Sequence, residues 1–220
     1  MKQIAVCAAV ILSLKVFLAI LYQYRWYFPA DFDASPFLSG RRYTFVGIYR
    51  AAFYAHLASG PTSLLLGTVL LLSGGRPGWS VIHRWLGKTQ LILVLLIVVP
   101  SGLVMALQAY AGPIAEIGFM AQSLLLAVTV VAAAATARSR RFLDHQRWAQ
   151  RCYILLWSPL LLRIVAGLMI VTDLESEWTY RINAWASWLV PLAIYELVHP
   201  PRHENSCAEP PFDVYPSPEN

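Results

Sequence analysis

Two histidines stand at the beginning of two apolar stretches and could together hold a metal cofactor. His83 begins the sequence HRWLGK, and His145 begins the sequence HQRWAQR. Imidazole is a common ligand of haem iron, and two histidines on facing helices can hold a b-type haem between them. The pair therefore predicts a haem b site between His83 and His145, which would make the chain an electron-transfer protein.

Three arginines beside these histidines could bind the propionates of such a haem. Arg84, Arg147 and Arg151 carry the guanidinium groups that form strong, charge-assisted hydrogen bonds to carboxylates. A second interpretation stays open, because histidine beside arginine and tryptophan at a helix end also anchors a helix at the membrane surface. A zinc-like site needs three or four ligands. His83, His145 and His199 are all predicted on the same side of the membrane, so such a site stays open as an alternative, although we assign no metal ligands of this kind.

A second polar group lies within apolar sequence and comprises His56, Glu116 and Arg163. Arg163 stands about 22 Å along its helix at 1.5 Å per residue, too deep to reach the nearer membrane surface easily. Ionisable groups at such depth usually face a partner or a cavity. We expect Arg163 to be satisfied by Glu116, by His56 or by carbonyls freed near Pro159. This cluster predicts an alternative function, a non-redox transporter or a membrane protein that binds a small molecule or lipid.

Composition restricts the chain to a multi-pass membrane protein. It has 220 residues, of which 58% are hydrophobic and 13% are charged, against about 25% charged in soluble domains. The net charge of +5 comes from basic residues in short loops, which indicates membrane orientation rather than nucleic-acid binding. The three cysteines have no paired spacing and predict no disulfide. No motif of a soluble enzyme is present.

Six segments are apolar and long enough to cross a bilayer, which takes about 20 residues. We predict an all-α membrane protein with six transmembrane helices, in which helices two to five form a central four-helix bundle. Pro100 and Pro159 should each kink the helix that contains them. The segments are 3–24, 49–72, 84–108, 114–136, 149–171 and 179–198.

The loops predict the orientation and the division of the chain. Lysine and arginine are more frequent on the side that holds both termini, so both should be cytoplasmic, with the protein in the inner (plasma) membrane. The predicted parts are a first helix (1–24), an external cap loop (25–48), a four-helix core (49–171), an external loop with the sixth helix (172–199) and a disordered cytoplasmic tail (200–220).

A faint internal repeat suggests that helices two and three duplicate helices four and five. The sequence SLLL begins at Ser63 and again at Ser123, and the same offset places His56 on Glu116. Two such hairpins inserted in the same direction would bring His83 opposite His145 at one end. They would bring His56 opposite Glu116 at the other end.

These residues carry a resemblance to a known family. The sequences HLASG from His56, HRWLGK from His83 and HQRW from His145, followed by Arg151, Tyr153 and Arg163, resemble the prokaryotic predicted membrane proteins grouped as domain of unknown function 2306. The resemblance covers about residues 50–170. It implies that His56, His83, His145, Trp148, Arg151 and Arg163 matter, and it assigns no activity.

The chain departs from the family pattern at two positions. Gln90 stands where a tyrosine is expected, and Ala149 stands where a methionine is expected. The layout of histidines is also similar to that of di-haem cytochrome b and ferric reductase membrane proteins, which is an analogy of fold alone. The expected partners are the lipid bilayer and haem or a quinone-like small molecule.

Overall fold

Six long helices form nearly the whole of the structure. The computed structural model describes residues 2–35, 37–76 and 78–200, and this part contains no β-sheet. The all-α prediction is therefore confirmed. The predicted disordered tail falls almost entirely on residues 201–220, which lie outside the described residues. The helices are α1 (Lys2–Gln23), α2 (Gly47–Ser73), α3 (Ser80–Ala106), α4 (Pro113–Arg138), α5 (Phe142–Val171) and α6 (Glu177–Val198).

Four of these helices are long and apolar enough to cross a membrane. They are α2 to α5, with 26 to 30 residues each. A helix of that length extends about 40 Å, which exceeds the roughly 30 Å of a bilayer's hydrocarbon core. The membrane crossings predicted for α1 and α6 remain predictions.

Two prolines within the helices each leave one backbone carbonyl without its usual N–H donor. Pro100 follows a π-helical segment, Val94–Val98, within α3. This segment contains Leu96, whose carbonyl would accept from residue 100 if proline had an N–H group. Pro159 likewise frees the carbonyl of Leu155. That carbonyl accepts a hydrogen bond from the hydroxyl of Ser158 at 2.9 Å.

The four apolar helices pack in adjoining pairs around one hydrophobic core. Helix α2 contacts α3 and α5, and α4 also contacts α3 and α5, whereas α1 packs against α5. Helix α6 packs against α4 and α5. The core contains apolar side chains from all four of the central helices, including Leu64, Val94, Leu126 and Leu155.

Aromatic side chains anchor the segment between α1 and α2. Tyr27, Leu38 and Phe45 of this segment are buried against Tyr49 and Phe53 of α2. The backbone N–H groups of the turn that follows Asp31 donate to its carboxylate and lower its pKa. The segment therefore has a hydrophobic core of its own. Its placement outside the cell stays a prediction.

Candidate functional site

The structure brings His83 and His145 together at one end of the apolar helices. His83 lies in the first turn of α3, and His145 lies in the first turn of α5. Their ring centroids are 6.2 Å apart, and the ring planes are inclined by 83°. Both side chains are partly buried. The two residues that begin the sequence motifs therefore form one pair in space.

Hydrogen bonds fix the protonation pattern of both rings. The Nδ1 atom of His145 is 2.8 Å from the carbonyl oxygen of Ala133, which can only accept, so Nδ1 carries the proton. The Nδ1 atom of His83 is 3.1 Å from the hydroxyl oxygen of Ser73. Because that hydroxyl donates to the carbonyl of Leu70 at 3.2 Å, it accepts from His83. In the neutral form, each ring therefore has its lone pair on Nε2.

The two histidines are held in equivalent ways by the helix that precedes each of them. Ser73 lies at the end of α2 and holds His83, and Ala133 lies in α4 and holds His145. Positions 73 and 133 differ by the same offset of about sixty residues that relates the two SLLL sequences. Sequence reasoning missed Ser73, because a single serine at a helix end carries no distinctive signal.

The three arginines near the histidine pair differ in their partners and in their exposure. Arg151 forms a bidentate ion pair with Glu196 of α6, with nitrogen–oxygen distances of 2.5 and 2.8 Å. Its guanidinium also lies over the ring of Trp148. Arg84 is exposed and Arg147 is partly buried. Glu196 could not be predicted as the partner of Arg151, because the two residues lie on different helices.

The described residues contain no zinc-like site. No group of three or more histidine, cysteine, aspartate or glutamate side chains is placed to hold a metal ion in the ranges that the structure covers. His199 stacks on the ring of Tyr195 with centroids 4.7 Å apart. A pair of imidazoles therefore remains as the donor set at the end of α3 and α5.

His56, the third histidine within the apolar helices, lies beside Ser101 and Gly102, toward the end opposite to His83 and His145. The Nδ1 atom of His56 is 3.0 Å from the hydroxyl oxygen of Ser101. That hydroxyl donates to the carbonyl of Ile97, so His56 again carries its proton on Nδ1. A Cβ atom at Gly102 would lie 3.5 Å from the ring of His56. That distance is an ordinary van der Waals contact, whereas the same Cβ atom would lie only 3.0 Å from the hydroxyl oxygen of Ser123, so the missing side chain of Gly102 allows α3 to approach α4.

The predicted ion pair between Arg163 and Glu116 does not form. Neither residue belongs to an ion pair within the described ranges, and no hydrogen bond joins either of them to His56 there. Glu116 lies in the first turn of α4, where the positive end of the helix dipole stabilises a carboxylate. The carbonyl of Leu155, which Pro159 leaves free, accepts from Ser158 at 2.9 Å and from the amide of Gln122 at 3.3 Å, and no hydrogen bond joins it to Arg163.

Arg163 instead faces a small cavity together with His56. The cavity has a volume of about 80 Å³ and lies between α1, α2 and α5 under the segment that follows α1. Its walls include the side chains of Ile20, Gln23, Tyr24, Tyr27, Phe37, Phe53, Leu57 and Met105. The polar residues around this cavity are therefore Arg163, His56, Gln23 and two tyrosines, without Glu116.

Tyr24 closes this cavity and is fixed as a neutral hydrogen-bond donor. Its hydroxyl donates to the carbonyl oxygen of Leu57 at 2.5 Å. Pro61 in α2 has no N–H group to occupy that carbonyl, so it is free to accept. Burial raises the pKa of Tyr24 to about 12, although the nearby positive charge of Arg163 opposes the shift. The phenol is thus protonated at neutral pH.

Two other arginines near the same end of the helices donate to backbone carbonyls, whereas Arg163 does not donate to any carbonyl among the described residues. Arg41 donates to the carbonyl of Gln108 at 2.7 Å, and Arg181 donates to the carbonyl of Ala111 at 2.8 Å. Arg163 has no such acceptor among the described residues. A charged group within the membrane costs about 2.5 to 3.5 kcal/mol on insertion scales. An acceptor at the cavity would offset this cost.

Comparison with known proteins supports the resemblance drawn from the motifs. No curated protein and no solved structure matches the chain. The family described as "Predicted membrane protein (DUF2306)" matches residues 53–199, which extends beyond the expected range and includes α6 and Glu196. The match covers more than half of the sequence and contains both histidine motifs as well as Arg163. The chain therefore belongs to the predicted membrane protein family DUF2306.

Proposed function

We propose that this membrane protein transfers electrons through one b-type haem held between His83 and His145. The observation that carries the proposal is the orientation of the two rings. Both histidines direct the Nδ1 proton away to Ser73 or Ala133, which leaves an Nε2 lone pair on each ring. Histidines that bind metals usually donate the other ring N–H in this way, which fixes the ring and raises its basicity.

The separation of the rings fits a single metal atom between them. An imidazole–metal bond is about 2 Å long. Two such bonds in line, together with about half a ring on each side, bring the ring centroids to roughly 6 Å. The observed separation is 6.2 Å. His83 and His145 would hold the iron of a b-type haem, for which a pair of histidines is sufficient, whereas zinc needs three or four ligands.

The helix arrangement also suits a cofactor in the interior. Helices α2 and α4 each contact both α3 and α5. We infer that α3 and α5 lie opposite each other in a four-helix bundle, so that His83 and His145 reach across its centre. Facing helices of a bundle are a usual location for cofactor ligands.

Each nearby arginine has a distinct expected role. Arg84 and Arg147 are available to bind haem propionates by charge-assisted hydrogen bonds. Arg151 is paired with Glu196, so we assign it to holding α5 against α6. When bound, haem iron supplies one-electron oxidation and reduction. The protein residues orient the iron ligands and exclude water from them.

A difference spectrum of the purified protein tests the proposal. The full chain is produced in cells supplied with a haem precursor and recorded in its reduced and oxidised forms. We expect a b-type absorbance band and a positive pyridine haemochrome assay. Substitutions His83→Ala and His145→Ala should each abolish the band. His199→Ala is the matched control and should retain it, because His199 lies outside the pair. A clean preparation without haem would refute the proposal.

A second candidate function rests on the cavity beside Arg163. A non-redox transporter or a membrane protein that binds a small molecule or lipid would use this cavity, because its one membrane-embedded cation has no acceptor among the described residues. This function needs no haem. A preparation that binds such a molecule and gives no haem spectrum would support it over the first candidate.

We also propose that both termini are cytoplasmic and that the protein lies in the inner (plasma) membrane. Basic residues in the loops support this orientation. Reporter fusions after residue 140 should be cytoplasmic, and fusions near residue 175 should be external. The reverse pattern would show that the number of crossings has been miscounted.

A further inference from the structure

We propose that the cavity beside Arg163 binds an anionic group, a carboxylate or a phosphate. This inference rests on the site of the second candidate function and is independent of haem. It assigns the chemical class of the ligand from the charge, the size and the walls of the cavity.

The charge of the cavity is positive and uncompensated. Arg163 lines it and has no carboxylate or carbonyl acceptor within the described residues. Tyr24 and Tyr27 line the same cavity as Arg163. Phenols that stay protonated cannot neutralise a guanidinium. A carboxylate or phosphate can accept two parallel hydrogen bonds from it.

Neither the hydroxyl of Tyr24 nor the imidazole of His56 supplies a negative charge, and no hydrogen bond joins either of them to Arg163 among the described residues. Tyr24 donates to the carbonyl of Leu57, and His56 directs its Nδ1 proton to Ser101. Both side chains are therefore fixed as walls of the cavity. A ligand must supply the negative charge that this part of the protein lacks.

The size of the cavity limits the ligand to one small head group. Its volume of about 80 Å³ corresponds to roughly two or three water molecules at about 30 Å³ each. This space is sufficient for one carboxylate or phosphate group. Arg163 keeps part of its surface exposed, so the group can be approached from outside the protein.

The same chemistry could come from a free anion or from the head group of an amphiphile. The walls include Ile20 and Leu57, which are apolar and would accommodate the first carbons of an attached chain. The two sources share the contact with Arg163. They differ in whether an alkyl chain adds to the affinity, which an experiment can separate.

Thermal stability of the full chain in a neutral maltoside detergent provides the test. Acetate, inorganic phosphate, laurate and dodecanol are added separately, and the melting temperature is recorded as a function of concentration. We expect at least one of the three anions to raise it in a saturable way. Arg163→Gln should weaken that effect roughly ten- to a hundredfold, as expected for the loss of a charge-assisted hydrogen bond.

Two further variants separate a specific site from a general effect of charge. Arg163→Lys keeps the cation and should retain most of the binding, which also controls for misfolding of the glutamine variant. Arg50→Gln removes an exposed arginine that lies outside the cavity and should leave binding unchanged.

Each outcome supports the proposal or overturns it. Equal effects of acetate and laurate identify a free anion, and a stronger effect of laurate identifies an amphiphile. The proposal is overturned if no anion raises the melting temperature or if dodecanol acts as strongly as laurate. It is also overturned if Arg163→Gln responds like the original protein. The haem spectrum is recorded on the same samples, so the two proposals can fail separately.

Discussion

The ion pair between Arg151 and Glu196 should contribute measurably to stability. The pair joins α5 to α6 through two nitrogen–oxygen contacts of 2.5 and 2.8 Å. Breaking a buried pair costs about 3 to 5 kcal/mol, whereas exposed pairs contribute about 0.2 to 1 kcal/mol. The side chain of Arg151 is 17% exposed and that of Glu196 is 40% exposed. We therefore expect a coupling free energy of about 1 to 2 kcal/mol, between these limits.

A double-mutant cycle measures this coupling. Arg151→Met, Glu196→Gln and the double variant are unfolded in detergent, and the coupling is the departure of the double variant from additivity. The matched cycle uses Arg163→Met and Glu116→Gln, which should be additive within about 0.5 kcal/mol because no ion pair joins those residues. Additivity at the first pair, or strong coupling at the second, would refute the placement of these four side chains.

Two other substitutions test close packing and ring orientation. Gly118→Ala should destabilise the protein by about 1 to 3 kcal/mol, because the new Cβ would lie 3.0 Å from the indole nitrogen of Trp185. Gly167→Ala is its control, since nothing lies within 4 Å there, and thermal unfolding should show no loss. Ser73→Ala should shift the haem spectrum or lower haem occupancy, because it removes the acceptor that orients His83. An unchanged spectrum and occupancy would show that this contact does not position the ligand.

The helices could be predicted from the sequence because apolar length determines them. The six predicted segments correspond to α1 to α6, and the largest difference is at the start of α5, which begins at Phe142 rather than near residue 149. The difference arises because the first turns of α5 are polar. Backbone hydrogen bonds continue the helix through these polar turns, whereas a prediction from apolar residues leaves them out. His145 therefore lies within the helix rather than before it.

The site could be predicted only where the same residue types recur at matching positions. His83 and His145 each precede a tryptophan at the start of a helix, and this likeness pointed to their contact. Partners such as Ser73 and Glu196 had no comparable signal, because their role depends on how the helices pack. The predicted pairing of Arg163 with Glu116 is wrong, because it rested only on the similar depth of the two residues in the membrane. Two residues at a similar depth need not share a helix face.

The predicted repeat would account for the different chemistry of the two ends of the helices. At one end, position 73 holds His83 and position 133 holds His145, and each helix hairpin supplies an imidazole. At the other end the corresponding positions are His56 and Glu116, and a carboxylate prefers hard cations such as magnesium or calcium, whereas an imidazole suits iron. The end with two histidines thus suits a metal cofactor. The end with His56 contains Arg163 and suits an anion, so a single chain would carry two unlike sites.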